Sequence, residues 1–554
     1  MFHKRFVRYG LLRRQERRWI MQSLAGVEWC VEFKEPEKLY PRARLSRRKI
    51  IYHAGPTNSG KTYWALEALK RSSNGVYAGP LRLLAVEVFE RLNNDGIYCS
   101  LFTGQERREV PFSSHASCTI EMVPTGKSFD VAVIDEIQLI GSSDRGHAWT
   151  RALLGLDAKE IHLCGSIEAA EIIGRICNKT GDQLLVQNYE RLTPLVVESK
   201  PLNSFADIQE GDCVVTFSRK DIHAVKKKIE AVRPNLRCGV VYGQLPPETR
   251  SRQARLFNDE GQDAYDVLVA SDAIGMGLNL NIKRIVFNST QKFGAVARNL
   301  LDENQGGDTK RLAPVDPTLI KQIAGRAGRK STRFSQAGGV VAAMNVQDLN
   351  YVRSALNTPD RNHTRIGIFP PSEMLATFAK AWLAENNTNN AQCSLADIVL
   401  AFSEQAAIDE NLYFYAGNQE LIHVANKLEA ALDTLGKPRL AIEDMLIFCT
   451  APCNTNDRFA LHMLATYAAM CAPGRRERCA PNIRLTNKPP ASLSQLQDLC
   501  TKHNVLDLYL WLNFRYPHTF SEATVAKAQK YRAIELIAKG LQDPNLELPD
   551  NSAI

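Results

Sequence analysis

The residues with the clearest chemical potential form a glycine-rich segment at positions 55–62. The segment fits the phosphate-binding pattern G-x-x-x-x-G-K-[ST] and consists of Gly55, Pro56, Thr57, Asn58, Ser59, Gly60, Lys61 and Thr62. Gly60 lets the backbone curl so that successive N–H groups point at phosphate oxygens. Lys61 can neutralise the β- and γ-phosphates, and the Thr62 hydroxyl can bind Mg²⁺. This phosphate-binding loop therefore predicts a site for ATP or another nucleoside triphosphate, together with Mg²⁺.

Two adjacent acids supply the next part of such a site. Asp135 and Glu136 directly follow four apolar residues. Both carboxylates should therefore lie at the carboxyl end of a buried strand, where open α/β sheets bind ligands. We expect Asp135 to hold Mg²⁺, directly or through water, and Glu136 to orient or deprotonate the attacking water. Alone, the pair could equally be solvated acids that begin a turn, but the phosphate-binding loop favours the catalytic interpretation.

A segment at positions 322–329 reads Q-x-x-G-R-x-G-R and contains Gln322, Arg326 and Arg329. An arginine that reaches the γ-phosphate across a cleft stabilises transition-state charge, which is worth about 10³–10⁵ in rate in other enzymes. Hydrolysis would then be fast only when the cleft is closed. Taken alone, the two arginines of this arginine segment could also form a basic helix face.

Two series of alternating strand and helix patterns position these residues. In the first series, short apolar runs at 49–53, 131–134 and 161–164 alternate with helical patterns at 64–70 and 83–92. The strand candidates of the second series lie at 213–217, 240–242, 267–270, 285–287 and 339–343. Long helical patterns follow. The predicted fold class is therefore α/β, with two tandem parallel-sheet domains followed by a helical C-terminal region.

The predicted domain boundaries follow these patterns. The divisions are a basic N-terminal segment at 1–46, α/β domains at 47–197 and 198–349, a helical accessory region at 350–542, and a tail at 543–554. A polar stretch at 299–311 predicts a loop or hairpin within the second domain. The Arg-rich N-terminal segment indicates either an organelle transit peptide or a solvated helix.

Composition narrows the remaining possibilities. The 554 residues carry a formal net charge of +9, which suits a polyanionic partner without requiring one. No run of 18 apolar residues occurs, so we expect no association with a membrane. The 13 cysteines are irregularly spaced, which indicates a reducing compartment. A zinc site or ordinary buried thiols are the alternatives for Cys449, Cys453, Cys471 and Cys479.

The string D-E-I-Q at 135–138 resembles the D-E-x-[HDQ] box of superfamily-two helicases, whose other boxes follow here in order. The resemblance implies RecA-like domains and a catalytic role for Gln138 beside Lys61 and the acids. It implies nucleotide contacts from Asp272 and Gly277. The residues that it implies as nucleic-acid contacts are Arg82, Thr103, Thr119 and Ser218.

Longer strings resemble one helicase family, the Suv-three type of the mitochondrial RNA degradosome. The matching strings lie at 55–63, 132–138, 149–156, 272–280, 322–329, 448–452 and 505–512. The resemblance implies ATP-dependent, 3′-to-5′ unwinding of RNA duplexes for mitochondrial RNA degradation and surveillance. It also implies a matrix location, with the nucleus as a second one, and an exoribonuclease partner. Activity on DNA or on hybrids is a further implication.

The sequence leaves some alternatives open. A DNA helicase or double-strand translocase with the same ATPase remains an alternative function, because no motif encodes a contact to the RNA 2′-hydroxyl. A further alternative is a switch or assembly factor that has the same phosphate-binding loop but does not move along nucleic acid. Such a protein would lack the second-domain arginines, which this sequence contains. Only about 46 residues precede the first domain, whereas members of the family commonly have a sizeable N-terminal domain. The short tail leaves a partner-binding tail in doubt.

Overall fold

The computed structural model of the protein describes residues 33–295, 310–329, 338–385, 393–472 and 478–548. These residues form two α/β units with parallel sheets, followed by a helical region, which confirms the predicted fold class. Most of the predicted transit segment lies outside the described residues. Its described part, from Phe33 onward, packs on the helical region, where the ring of Phe33 stacks on Tyr415 and meets the edge of Phe402.

The first sheet places the phosphate-binding loop and the two acids at one edge. Its strands are β1 (Lys49–Ala54), β2 (Gly75–Gly79), β3 (Cys99–Phe102), β4 (Arg107–Arg108), β5 (His115–Thr119), β6 (Ser128–Ile134), β7 (Asp157–Gly165) and β8 (Gln183–Asn188). Their spatial order is β4-β3-β5-β2-β6-β7-β1-β8. Strand β1 pairs in parallel with both β7 and β8. Because β1 and β6 are parallel members of one sheet, the segments that follow them meet at its carboxyl edge.

Helices cover the first sheet and bury apolar side chains against it. They are α1 (Lys61–Arg71), α2 (Arg82–Asn94), α3 (Gly146–Gly155) and α4 (Ala170–Thr180). Helix α1 buries Ala65, Leu66 and Leu69, a spacing that fits one face of a helix. The helical patterns at 64–70 and 83–92 fall inside α1 and α2. Helix α1 therefore holds the phosphate-binding loop firmly against the core.

The second sheet has six strands and includes one that the sequence assigned elsewhere. Its strands are β9 (Leu195–Val197), β10 (Asp212–Val215), β11 (Cys238–Val241), β12 (Val267–Ala270), β13 (Arg284–Phe287) and, near the end of the domain, Gly339–Ala343. Placing 195–197 in the first domain was wrong, because β9 pairs in parallel with Gly339–Ala343 at the edge of the second sheet. This partner is distant in sequence, so local patterns cannot reveal the pairing.

The second sheet carries its own helices and a hairpin. The helices are α5 (Arg219–Val232), α6 (Pro247–Asn258), α7 (Pro317–Ala324) and α8 (Val346–Asn357). The hairpin consists of β14 (Gln291–Ala295) and β15 (Lys310–Pro314), which pair antiparallel; Gly339–Ala343 is thus β16. Of the predicted insert at 299–311, residues 310 and 311 belong to β15, and 299–309 lie outside the described part. Helix α7 leads directly into the arginine segment.

The C-terminal region is mainly helical, as predicted, and adds one short sheet. Its parallel strands are β17 (Ile366–Ile368) and β18 (Tyr413–Tyr415). Its helices are α9 (Ser372–Glu385), α10 (Leu395–Gln405), α11 (Asn418–Thr434), α12 (Ile442–Cys449), α13 (Arg458–Met470), α14 (Leu493–Asn513) and α15 (Ala523–Gln542). Helix α10 begins with a capping box between Ser394 and Asp397, which satisfies backbone N–H groups of its first turn.

The helical region packs against both α/β domains. Buried Trp149 of the first domain and Phe402 of the helical region belong to one continuous apolar core. Leu496 of α14 and Leu536 of α15 join the core of the second domain beside Val214. Burial of each large apolar side chain contributes roughly 1.5–3 kcal/mol to folding. The helical region therefore bridges the two domains.

Ten of the twelve described cysteines are buried thiols, and Cys453 and Cys471 are partly buried. All twelve of them are free. Burial raises the pKa of Cys449 and of Cys453 to about 12, and that of Cys479 to about 11. Among the described residues, no three His, Cys, Asp or Glu side chains are grouped so that they could hold a metal ion. Within the same residues, no helix is both long and apolar enough to cross a membrane.

Candidate nucleotide and nucleic-acid site

The phosphate-binding loop joins β1 to α1 through a tightly folded backbone. Gly60 has a φ of +84°, in the left-handed region that glycine tolerates best. Gly55 touches the linker that follows the first sheet so closely that a Cβ there would overlap the carbonyl oxygen of Tyr189. Both glycines are thus required by geometry. The N-terminus of α1 faces the loop, which suits an anionic phosphate.

Lys61 is folded back on the loop that it belongs to. Its Nζ donates hydrogen bonds to the carbonyl oxygens of Gly55, at 2.6 Å, and Pro56, at 2.5 Å. Burial lowers the pKa of Lys61, and the carboxylates of Glu136 and Asp135 oppose this shift. The ammonium group therefore lies between the loop and the acids. Phosphate oxygens could replace the two carbonyls as its acceptors.

Asp135 is brought to Thr62 by the sheet, as the sequence predicted for a metal site. Asp135 is 6% exposed, and its Oδ1 accepts a hydrogen bond from Thr62 Oγ1 at 3.3 Å. Its Oδ2 accepts one from Tyr77 OH at 3.0 Å, and its carbonyl oxygen one from Trp149 Nε1 at 3.0 Å. Burial and the adjacent Glu136 raise the pKa of Asp135. A hydroxyl and a buried carboxylate fit Mg²⁺, which prefers oxygen ligands and would offset this repulsion.

Gln138 connects the catalytic acid candidate to the end of β7. Its Nε2 donates a 2.5 Å hydrogen bond to Oε2 of Glu136, while its Oε1 accepts one from the backbone N–H of Ser166 at 3.2 Å. Glu136 itself has a φ of +51°, a strained conformation for a non-glycine residue. A Cβ on Gly165 would overlap the Gln138 amide oxygen. The carboxylate of Glu136 is thus held in one orientation.

The arginine segment forms the opposite wall of the same cavity. This cavity has a volume of about 420 Å³ and is lined by Lys61, Asp135, Glu136, Gln138, Gln322, Arg326 and Arg329, among others. Burial lowers the pKa of Arg329, and the carboxylates of Glu136 and Glu87 oppose this shift. The guanidinium therefore lies near the acid that would orient water. A γ-phosphate between the two walls would meet a positive charge from each domain.

Arg326 donates hydrogen bonds to the neighbouring loop that contains Gly275 and Leu278. Its Nε donates to the carbonyl oxygen of Gly275 at 3.0 Å, and its Nη1 donates to that of Leu278 at 3.0 Å. The side chain is buried, and burial, with Arg329 nearby, lowers its pKa to about 9. The sequence gives no sign of these backbone partners. Both arginines line the nucleotide cavity, and Arg326 is in addition hydrogen-bonded to the carbonyls of this loop.

Two residues predicted to contact nucleotide do not line this cavity. The carboxylate of Asp272 pairs with Lys292 of the hairpin at 2.6 Å. Gly277 has a φ of +79°, and a Cβ there would crowd the Leu81 side chain of the first domain. Gly277 thus permits a close approach between the domains, which is a packing role in the structure as it stands.

Arg191, in the linker between the domains, was not predicted. Its Nη1 donates to the carbonyl oxygens of Thr57, at 3.2 Å, and Gly325, at 2.9 Å, and its Nη2 donates to that of Ala327 at 2.5 Å. One side chain therefore ties the phosphate-binding loop to the arginine segment. Burial, with Arg329 nearby, lowers the pKa of Arg191 to about 10. No sequence signal separates it from an ordinary linker arginine.

The predicted nucleic-acid contacts are spread over both domains and are engaged in protein contacts. Arg82 forms ion pairs with Glu106 and Glu248. The Thr103 hydroxyl is buried and donates to the carbonyl oxygen of Glu106 at 3.1 Å. Ser218 caps α5. Thr119 ends β5 and is half-buried. These positions and contacts do not by themselves identify any of the four residues as a contact to nucleic acid.

A second cavity lies next to Ser218, between the second domain and the helical region. Its volume is about 560 Å³. Its lining includes one cationic and several amide side chains: Arg219, Gln244, Asn454, Asn456, Gln497 and Asn504. Amide groups can both donate and accept hydrogen bonds, so this lining suits a polar ligand.

Four parts of the chain match described protein families. Residues 36–189 match the DEXQ-box helicase domain of Suv3, and 198–331 match the helicase conserved C-terminal domain. Residues 431–472 match Suv3 C-terminal domain 1, and 496–543 match the ATP-dependent RNA helicase SUV3 C-terminal domain. The Arabidopsis thaliana protein "DExH-box ATP-dependent RNA helicase DExH16, mitochondrial" is 42% identical over 518 residues, which cover 93% of this chain and 84% of that protein. The chain belongs to the Suv3 helicase family.

Longer members of the Suv3 family are similar over the same part. "DExH-box ATP-dependent RNA helicase DExH18, mitochondrial" of Arabidopsis thaliana is 42% identical over 92% of this chain and 61% of its own length. "ATP-dependent RNA helicase SUPV3L1, mitochondrial" of Homo sapiens is 38% identical over 92% and 62%. The chain thus spans about three fifths of these two relatives. The solved structure of the Escherichia coli DEAH/RHA helicase HrpB matches with a TM-score of 0.45 and 14% identity, covering 86% of this chain and 60% of that one.

Arg191 offers a test of the contact between the two walls. We expect Arg191→Gln to lower kcat for RNA-stimulated ATP hydrolysis by about 10- to 100-fold, because a displacement of about 1 Å in a catalytic group has an effect of this size. Steady-state ATPase measurements at saturating single-stranded RNA check this. Glu190→Gln, at the exposed neighbouring position, is the control and should leave kcat unchanged. An unaltered kcat in Arg191→Gln would show that Arg191 does not set the spacing.

Proposed function

We propose that this chain is an ATP-dependent RNA helicase that unwinds duplexes in the 3′-to-5′ direction. The observation that carries the proposal is the single cavity lined by the phosphate-binding loop, the acid pair and the arginine segment. Such a cavity couples hydrolysis to domain closure, which a stepping motor requires. The names of the relatives, which are ATP-dependent RNA helicases, support RNA as the strand.

The proposed chemistry uses residues from both walls. Lys61 binds the β- and γ-phosphates, and Thr62 with Asp135 holds Mg²⁺, which when bound neutralises phosphate charge. Glu136, held by Gln138, orients water and accepts its proton. Arg329 stabilises the charge that develops on the γ-phosphate. Because Arg329 and Glu136 belong to different domains, hydrolysis depends on the distance between those domains.

The strand is proposed to cross both α/β domains. Arg82, Thr103 and Thr119 in the first domain and Ser218 in the second would bind phosphates, which gives little sequence specificity. The cavity beside Ser218 supports a path between the second domain and the helical region. In the structure, Arg82 is shared between Glu106 and Glu248, and Thr103 donates to Glu106, so strand binding requires that at least one of these contacts changes.

We further propose that the helicase serves RNA degradation and surveillance in the mitochondrial matrix, beside an exoribonuclease. The word "mitochondrial" in the names of the relatives supports the location. The nucleus is a second location to test. The degradosome role and the nuclease partner rest on the resemblance of the matching strings alone. A DNA helicase or translocase is the alternative function, since the site offers no feature that requires a 2′-hydroxyl.

Strand displacement tests the proposed function directly. Duplexes of RNA or DNA that carry a single-stranded 3′ or 5′ tail are incubated with the full chain, ATP and Mg²⁺. We expect release of the RNA strand only from substrates with a 3′ tail, and no release by Lys61→Ala, which loses the main phosphate ligand. Preference for DNA duplexes would favour the alternative. Absence of displacement from every substrate would contradict a helicase.

A further inference from the structure

Three parts of the chain meet in a partly buried cluster of ionisable side chains. Its members are Arg82 and Glu106 of the first domain, Glu248 of the second domain, and His503, Asp507 and Lys530 of the helical region. We refer to these six residues as the junction cluster. His503 is 0%, Asp507 4% and Lys530 8% exposed. The side chains of Arg82, Glu106 and Glu248 are only partly buried, at 18%, 23% and 32% exposed. Buried charges are costly unless they are paired, so Asp507 and Lys530 depend on each other and on Glu248.

Arg82 is shared between two carboxylates from different domains. Its Nη2 donates to Oε2 of Glu106 at 3.1 Å and to Oε1 of Glu248 at 3.2 Å, and its Nη1 donates to Oε1 of Gln105 at 3.1 Å. The two acids therefore occupy both protons of one terminal nitrogen. Glu106 and Gln105 belong to the same domain as Arg82. Glu248, in the first turn of α6, crosses to it from the second domain.

Besides Arg82, the Glu248 carboxylate contacts a second cation, Lys530. Its Oε1 lies 3.0 Å from Lys530 Nζ on α15, and its Oε2 lies 3.7 Å from His503 Nε2 on α14. Burial alone would raise the pKa of Glu248, but Lys530 and Arg82 outweigh it and lower the pKa to about 2. The carboxylate is therefore charged at any physiological pH. Lys530 in turn is held by Asp507 at 2.5 Å.

A phosphate group is a close chemical substitute for a carboxylate on a guanidinium. Both are anions that accept two hydrogen bonds from the planar donor fork of an arginine. Replacement of Glu248 by phosphate would leave Arg82 neutralised and would leave Glu248 paired with Lys530. Each anion would keep contact with a cation, since Glu106 and the phosphate would share Arg82 while Glu248 and Asp507 share Lys530. Because Glu248 keeps Lys530, the exchange does not leave it as an unpaired charge, which reduces the cost of breaking this partly buried ion pair.

We propose that Glu248 occupies on Arg82 the position that a phosphate of the nucleic-acid strand takes, so that strand binding replaces a contact between the two α/β domains. The proposal rests on the proposed function, in which Arg82 contacts the strand. Glu248 is then a positioning residue: it releases Arg82 to the strand and stays with the helical region through Lys530. The strand and the second domain compete for one guanidinium, which links strand binding to the freedom of the two domains to move.

Binding of a fluorescent single-stranded RNA to the full chain, measured by anisotropy without nucleotide, tests the exchange. We expect Glu248→Gln to lower Kd by about fivefold, within the range of couplings measured between contacting residues, because phosphate no longer displaces a charged competitor. Glu106→Gln is the charge-matched control, since it removes one acid from the same Arg82 Nη2. Under the proposal Glu106 stays on Arg82 in the complex, so its loss should not tighten binding. Equal tightening in both variants would reveal a general charge effect and overturn the proposal.

A double-mutant cycle separates this inference from the proposed function. In an Arg82→Gln background, Glu248→Gln should no longer change Kd. If Arg82→Gln alone binds RNA as tightly as the parent, Arg82 is no strand contact and the proposed strand site fails at that residue. If Arg82→Gln weakens binding while Glu248→Gln does not strengthen it, only the exchange is refuted.

A second variant covers the case in which Glu248→Gln does not fold. Glu248→Asp keeps the negative charge beside Lys530 but shortens the reach toward Arg82 by one methylene. It should lower Kd in the same direction, with a smaller change, and thermal unfolding of each variant shows that the comparison concerns folded protein. A Kd for Glu248→Asp that equals or exceeds that of the parent would overturn the proposal.

Discussion

Glu136→Gln should reduce kcat for RNA-stimulated ATP hydrolysis by about 10²–10⁴-fold, the usual contribution of a general base. The variant should still bind ATP and RNA, because Lys61, Thr62 and Asp135 are unchanged. Glutamine has the shape of glutamate and can keep the contact with Gln138, but it cannot accept a proton from water. Single-turnover hydrolysis of radiolabelled ATP, with ATP affinity measured separately, checks the prediction.

The expected loss of activity depends on the position of Glu136 in the nucleotide cavity and not only on the removal of one negative charge. Glu90→Gln is a matched control, because Glu90 is an exposed acid of α2 that does not line the nucleotide cavity. It should hydrolyse ATP at the parent rate. Retention of normal turnover by Glu136→Gln would remove Glu136 as the group that orients water, and the cavity would then lack an assigned base.

Arg329→Ala should lower RNA-stimulated ATP hydrolysis by about 10³-fold or more, as expected for an arginine that stabilises phosphoryl-transfer charge from across a cleft. Nucleotide binding should change little, because the phosphate-binding loop remains intact. Arg329 lies at the cavity near Glu136 and Glu87, whereas Arg326 donates to the carbonyls of Gly275 and Leu278. Steady-state ATPase rates across a series of RNA concentrations provide the measurement.

Two comparisons make the Arg329 result specific. Arg71→Ala removes an exposed arginine at the end of α1 and should leave both stimulated and unstimulated rates unchanged. The unstimulated rate of Arg329→Ala should fall less than the stimulated rate, because closure brings this arginine to the phosphate. A variant that is stimulated by RNA as strongly as the parent would contradict the assignment of Arg329.

The catalytic half of the site in the first domain was largely predictable from the sequence. Residues 55–62 form a local turn between a strand and a helix, and the acids end an apolar strand at the predicted position. The sheet then brings Thr62 Oγ1 within 3.3 Å of Asp135. These features depend on backbone periods and on residues adjacent in sequence, which is why a pattern can reveal them.

Contacts between distant segments were not predictable. Arg191 binds the carbonyls of Gly325 and Ala327, which are 134 and 136 positions away. The strand Leu195–Val197 joins the second sheet although it directly follows the first unit. Both results depend on which surfaces pack together, and no local pattern reports a partner at that separation.

The sequence by itself determined the chemistry that is available: a phosphate loop, an acid pair, an arginine segment, and membership of one helicase family. Only the tertiary structure decided how individual side chains use that chemistry. It engaged Arg326 with backbone carbonyls, placed Arg326 and Arg329 together in the wall of the cavity, and paired Arg82 with Glu248 of another domain. The physical reason is that residue type and spacing define donors and acceptors, whereas burial and the neighbours supplied by packing decide which of them remain available to a ligand.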